Sequence, residues 1–301
     1  MNWTSLAFSA TFLVAAGSLF EKVLVSRRLP SAAVFLGWFA LSTLPHAVVF
    51  AFVFPVPEAT PARHVAVMLV AGVSWGMAAN LMYRVLRTAE VSRVWPVVNV
   101  SPVFVGILSL LFLSERLSGW QWGAMLVAVS GTILISFQRG AAGKGFSFDR
   151  SFFTLVGASF FMASGQVMQK YALGELEPLT GFWLLRFGMF IGLSVNLLTR
   201  GTVKGLVASA RDPRTLGIVV LTEFVIFPAA VLLIVWATSV GPVSLVATVI
   251  GTVPVWLFVM SSLLSTKWWN VMHEPLRRET LAQKTVSIAL IVAGITGIAL
   301  L

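Results

Sequence analysis

SATFLVAAGSLFEKVL (residues 9–24) is apolar almost throughout, yet carries Glu21 and Lys22 just before it ends. A second stretch, GASFFMASGQVMQKYAL (157–173), repeats the pattern and ends on Gln169 and Lys170. The surroundings of both stretches say which solvent they meet. The chain has 301 residues, 58% hydrophobic and only 11% charged, with 23 Phe and 11 Trp. Soluble domains carry about 25% charged residues, so lipid is the solvent for most of this chain.

A helix needs about 20 apolar residues to cross the hydrocarbon. Ten runs qualify, at about 3–25, 31–54, 64–86, 92–113, 119–137, 151–172, 180–199, 214–237, 242–264 and 282–301. Short alternating segments of the kind barrel strands require are absent from the sequence. The expected fold is all-α and polytopic, with ten transmembrane helices. The first run lacks a basic leader and exceeds a signal-peptide core, so it is read as a retained helix. There is no Cys, which excludes thiolate chemistry and disulfides. A net charge of +10 could suggest nucleic acid, but Lys and Arg in cytoplasmic loops account for it.

Those basic residues are partitioned. Seventeen belong to odd-numbered loops, among them Lys22, Arg27, Arg28, Arg84, Arg87, Arg93, Arg139, Lys144 and Arg150. Three, Arg63, Arg116 and Lys170, belong to even loops. The positive-inside rule therefore places both termini outside, in a plasma membrane of the bacterial inner-membrane kind.

The two opening stretches match at an offset of 148: Ala10/Ala158, Phe12/Phe160, Ala15/Ala163, Gly17/Gly165 and Lys22/Lys170. At an offset of 152, VSRVWPVVNVSPV (91–103) matches VSLVATVIGTVPV (243–255) at six of thirteen positions, including Pro102/Pro254. A duplication of five helices is expected, with units at 1–138 and 150–301 joined by the loop 139–149. Because five is odd, the second unit enters from the opposite side. Inverted repeats are a common plan of secondary transporters, with the site near mid-membrane between the repeats.

The segment 89–135, with Pro102 early in the fourth span, the Glu115–Leu117 turn and a fifth span spaced by Gly123 and Gly131, resembles the EamA-type module of the drug/metabolite transporter superfamily. The second half is similar over 241–264 and in the AGITG ending (293–297), but a longer loop, 265–284, replaces the Glu-Arg-Leu turn. That loop holds Lys267, Trp268, Trp269, Arg277 and Arg278, a composition suited to a headgroup-zone lid or anchor. The resemblance implies a carrier for a small metabolite or drug-like solute. Many family members keep both termini inside, opposite to the charge census.

Charges inside a span cost roughly 2.5–3.5 kcal/mol on insertion scales and so face a cavity or a partner. Glu223, at mid-depth of the eighth span, reads either as a carboxylate that carries a proton or coupling cation, or as the ion-pair partner of Arg186 in the seventh. Arg186, whose repeat position is Trp38, reads as a contact for a substrate anion or as a helix lock. Asn80, Tyr83, Arg84 and Asn99 form a polar set on the third and fourth spans; Asn80 and Arg84 share a face at i, i+4. Gln166 and Lys170 share a face of the sixth span. Asn99 and Asn196 also suit interhelical hydrogen bonding. Trp75 and Phe227, equivalent at the offset of 152, could wall a cavity. Pro102 and Pro254 are expected to kink their helices. Lys22 marks the end of its span, and Glu21, echoed only by Gln169, is set outside the shared mechanism.

An intramembrane enzyme needs clustered acids, bases or ligands. The chain has three widely separated His (His46, His64, His273) and two Asp (Asp149, Asp212), both in loops. No Walker motif occurs, and no cofactor, metal site or nucleic-acid partner is expected. A flippase for an amphipathic or lipid-linked molecule is the alternative to a solute carrier. Oligomeric state is not legible. With outside termini, a C-terminal reporter that works only outside the cytoplasm is expected to be active; activity of a cytoplasm-only reporter overturns the assignment.

Overall fold

A computed structural model describes residues 2–86, 94, 97–136, 150–264 and 278–299. Arg87, Arg93, the linker 139–149 and the residues 265–277 of the long loop, Trp268 and Trp269 included, lie outside the described residues. Every regular element among the described residues is helical. In chain order these are α1 (Trp3–Val23), α2 (Ala32–Val53), α3 (Ala62–Leu86), α4 (Ser101–Phe112), α5 (Gly119–Ser136), α6 (Arg150–Ala172) and α7 (Pro178–Leu193). There follow α8 (Arg200–Ala210), α9 (Pro213–Val219), α10 (Phe227–Val240), α11 (Val243–Ile250), α12 (Val253–Leu264) and α13 (Arg278–Ala299). Seven helical rods are long and apolar enough to cross a membrane, and Ser101–Phe112 and Thr285–Gly297 are shorter apolar helices.

Two rods contain a wide, π-type turn. The first follows α1 over Leu24–Arg28, where the Leu29 amide donates to the Leu24 carbonyl at 2.8 Å. The second, Val220–Ile226, joins α9 to α10. Insertions of this kind are rare and concentrate at functional sites.

Polar groups start the helices where the first amides lack partners. Asn2 accepts from the Thr4 amide, and Ser31 Oγ accepts from the Val34 amide at 3.3 Å. Asp212 accepts from the amides of Arg214 and Thr215 at 3.3 and 3.2 Å and pairs with Arg28 at 3.5 Å. The Thr215 hydroxyl, with those amides and Arg28, holds the Asp212 carboxyl below the usual carboxylate range.

The sequence reading treats 200–213 as loop, but α8 occupies most of it. Thr202, Gly205, Leu206 and Ser209 are buried while Val203 and Val207 are exposed. The buried side fits α2, because a Cβ on Gly205 would stand 2.4 Å from Val34 Cγ2. Pro102 lies in the first turn of α4 and Pro254 is the second residue of α12, each at the start of a helical segment. Both follow a break, at 99–100 and 251–252, and proline's fixed φ and missing N–H suit a helix start.

Glycines set the closest helix contacts. A Cβ on Gly72 would lie 2.2 Å from the Leu185 carbonyl oxygen, and one on Gly188 would lie 2.1 Å from that of Leu69. Gly76 meets Gly192 in the same seam, so α3 and α7 touch backbone to backbone. Elsewhere, a Cβ on Gly131 of α5 would meet Ser287 and Ile291 of α13, and one on Gly294 of α13 would meet Ala124 and Ala128 of α5. Gly188→Leu is expected to abolish the folded, monodisperse protein in detergent, since overpacking typically costs about 1–3 kcal/mol and here the obstacle is backbone. Gly119→Ala, with nothing within 4 Å, should leave the thermal midpoint unchanged.

Candidate functional site

Polar side chains from five rods converge in the interior. Glu21 follows Gly17 by one turn on α1, and Gly17 packs on the Phe227 ring, where a Cβ would stand 3.0 Å from two ring carbons. The Glu21 carboxylate accepts from the Tyr83 hydroxyl of α3 at 3.4 Å. Tyr83 is braced by Phe35 of α2, ring centroids 5.1 Å apart. Glu223 sits in the second wide turn, buried, with Oε1 lacking a hydrogen-bond partner. Its neighbour Thr222 is also buried, its hydroxyl equally unpartnered.

Arg186 of α7 is 0% exposed. Its Nη2 donates to Ser42 Oγ of α2 at 3.4 Å, while Nε and Nη1 have no partner. Glu223 is within Coulombic reach of Arg186 and Glu21, yet the ion pair expected between Glu223 and Arg186 does not form. Among the described residues the one pair within 4.0 Å is Arg28–Asp212. Buried charges that stop short of contact forgo the geometry that offsets desolvation, a penalty of several kcal/mol per ion. Unpaired polar atoms on residues within Coulombic reach of each other are suited to receive a ligand or a coupling ion.

His46 closes the cluster from α2. Its Nδ1 lies 2.6 Å from the Ser42 carbonyl oxygen and its Nε2 3.0 Å from that of Phe224, in the wide turn beside Glu223.

The other residues singled out in the sequence are distributed as follows. Asn80 donates to the Gly192 carbonyl at 2.9 Å, fastening α3 to α7, and Asn196, in the 3-10 turn Ser194–Leu198 that follows α7, donates to Asn80 Oδ1 at 2.7 Å. Trp38, which aligns with Arg186 at an offset of 148 in the sequence, turns to the end of the bundle, donating from Nε1 to Ser209 Oγ of α8 at 2.9 Å. Trp75 covers Gly165 of α6, a Cβ there standing 2.9 Å from its ring, and its buried Nε1 has no partner. Gln169, one turn beyond Gly165, is 1% exposed with both amide atoms unpartnered, and Gln166 is buried beside it. Asn99 is buried at the break before α4. Arg84 and Lys22 are exposed at the end of their rods, a position from which long basic side chains reach headgroups.

Lys170 is committed elsewhere. Its Nζ donates to the carbonyls of Thr238, Ser239 and Gly241 at 2.8, 3.3 and 2.8 Å, taking up all three protons at the end of α10. Glu115 of the Glu-Arg-Leu turn clasps the same turn from the other side. It accepts from the Val243 amide at 2.9 Å and from the Ser244 amide and hydroxyl at 3.4 and 2.9 Å. A cation at one helix C-terminus and an anion at the next N-terminus both complement the helix dipoles.

Sequence reasoning missed Glu21 and His46 as members of the cluster. Glu21 was set aside for want of an acidic repeat partner, and His46 because no other histidine stands near it in the sequence. A usable signal existed for His46: Ser42 and His46 are four apart on one face of an apolar helix.

The architecture is that of an integral membrane protein with a charged interior. Residues 1–137 match the model of the EamA-like transporter family, which bears out the resemblance of the first half to the EamA-type module of the drug/metabolite transporter superfamily. The family is one of transporters. No curated protein matches the sequence. One similar solved structure, described only as the crystal structure of a protein, has a TM-score of 0.69 over 99% of this chain and 96% of that chain. It is 14% identical, a likeness of fold alone.

Glu115→Ala should remove a carboxylate cap and lower the unfolding midpoint by the equivalent of about 1–2 kcal/mol. Lys170→Met should be at least as damaging, because three carbonyls lose their donor. Differential scanning fluorimetry in detergent measures both.

Proposed function

We propose that the protein is a secondary transporter that moves a small organic metabolite or drug-like solute by alternating access between two inverted five-helix repeats, 1–138 and 150–301. The observation that carries this reading is reciprocity of contact. Gly131 meets Ser287 and Ile291, while Gly294 meets Ala124 and Ala128. At one offset of 163, each glycine and each contact maps onto its counterpart. Gly17 against Phe227 and Gly165 against Trp75 exchange in the same way at the offsets 148 and 152. A pseudo-two-fold axis produces this exchange, and inverted repeats produce such an axis.

The functional site is the cluster of Glu223, Arg186, Glu21 and Tyr83 at the junction of the halves. Glu223 carries the coupling ion, a proton being the simplest, and Arg186 faces the solute's anionic or polar group. Asn80 and Asn196 hold the frame, and Trp75, Gln166 and Gln169 line the approach on α3 and α6. The charge partition favours a bacterial inner membrane with both termini outside.

Counterflow in proteoliposomes against a pooled metabolite extract identifies the solute. Glu223→Gln is expected to reduce proton-driven accumulation about tenfold or more, the equivalent of some 1.4 kcal/mol, while exchange persists. Normal accumulation with unchanged pH dependence removes the coupling role, and flux without exchange indicates a channel.

A further inference from the structure

Both ring nitrogens of His46 face carbonyl oxygens, Nδ1 at 2.6 Å from Ser42 and Nε2 at 3.0 Å from Phe224. A carbonyl oxygen only accepts, so each contact calls for an N–H. Neutral imidazole has one, and imidazolium has two. We infer that His46 is a protonatable latch: as imidazolium it ties α2 to the wide turn that carries Glu223, and on losing its proton it releases that seam. This rests on the alternating-access reading for its role in transport, but not for its chemistry.

Arg186 from α7 faces His46, while Glu223 from the turn itself, Glu21 from α1 and the Tyr83 phenol from α3 interact with one another beyond it. Deprotonation sends the proton to water when the seam is open. It leaves a lone pair opposite one of the two carbonyls, so one of the two contacts turns repulsive.

The seam that the latch closes differs from its symmetry mate. At the offsets 152 and 148, Gly72 and Gly76 correspond to Phe224 and Pro228, and Gly188 and Gly192 correspond to Ala40 and Leu44. The α3–α7 seam is therefore a backbone contact reinforced by Asn80 and Asn196. Its counterpart, between α2 and the α9–α10 rod, has a proline and larger side chains at three of those four places, and it is bridged by His46. One seam is built to stay shut, and the other is held by a group whose donor count depends on pH.

The chain has no Cys, so paired spin labels can be placed cleanly. Val49 and Val225 flank the latch and are 57% and 55% exposed, while Val70 and Ile191 report on the fixed seam at 50% and 47%. In proteoliposomes without added solute, lowering the pH from about 8 to about 5, the range in which histidine titrates, should shorten and narrow the Val49→Cys/Val225→Cys distance distribution. The Val70→Cys/Ile191→Cys distribution should not move. His46→Gln should lose the response at the moving seam, and His46→Arg should hold the low-pH distribution at every pH. Retention of the full response in His46→Gln, or equal movement of both seams, overturns the inference. Because no solute is present, a failed transport assay leaves this measurement intact and bears on the carrier reading alone.

Discussion

The contact on which the rest of the interior depends is the approach of α3 to α7. Leu185 and Leu69 carbonyls occupy the places where side chains at Gly72 and Gly188 would project. In lipid, helices gain little from hiding apolar surface from one another, so close van der Waals contact and interhelical hydrogen bonds must supply the association. Four glycines and the Asn80–Asn196 pair supply both. With α7 fixed in this way, Arg186 is held against α2 at Ser42, and the position of Arg186 defines where the buried charges meet.

Those charges are handled in two contrasting ways. At the end of the bundle, Lys170 and Glu115 are saturated by backbone groups and rivet the α10–α11 turn. In the centre, Arg186 and Glu223 retain unpartnered atoms and stop short of an ion pair. The first arrangement is one that a stable fold requires. The second stores unmet hydrogen-bonding capacity in a place lipid and bulk water do not reach, and this is where binding energy can be gained.

The helical architecture was legible because each span announces itself by length and apolarity. Glu223 and Arg186 were legible as costly charges in apolar runs. Three things were not. Trp38 and Arg186 align in the sequence at an offset of 148, but an alignment leaves a side chain's neighbours to the local packing, here α8 and Ser209. Lys170 looked like a site residue because nothing in the sequence says that three carbonyls at the far end of another rod will enclose its ammonium. Glu21 and His46 were passed over since their partners, Tyr83 and Phe224, are 62 and 178 residues away.

The wide turn at Val220–Ile226 has a consequence for how the interior can be re-addressed. Its closing bond runs from the Phe227 amide to the Thr222 carbonyl, five residues back rather than four. Such a turn holds one residue more than an α-helical turn of the same rise. If that surplus residue migrates along the rod, each side chain it passes swings about 100° around the axis, the angle per residue of an α-helix, while the ends of the rod stay in place. Glu223 lies in the middle of that stretch, so its carboxylate can change the wall it faces by a shift of register, without the sliding of one whole helix past another.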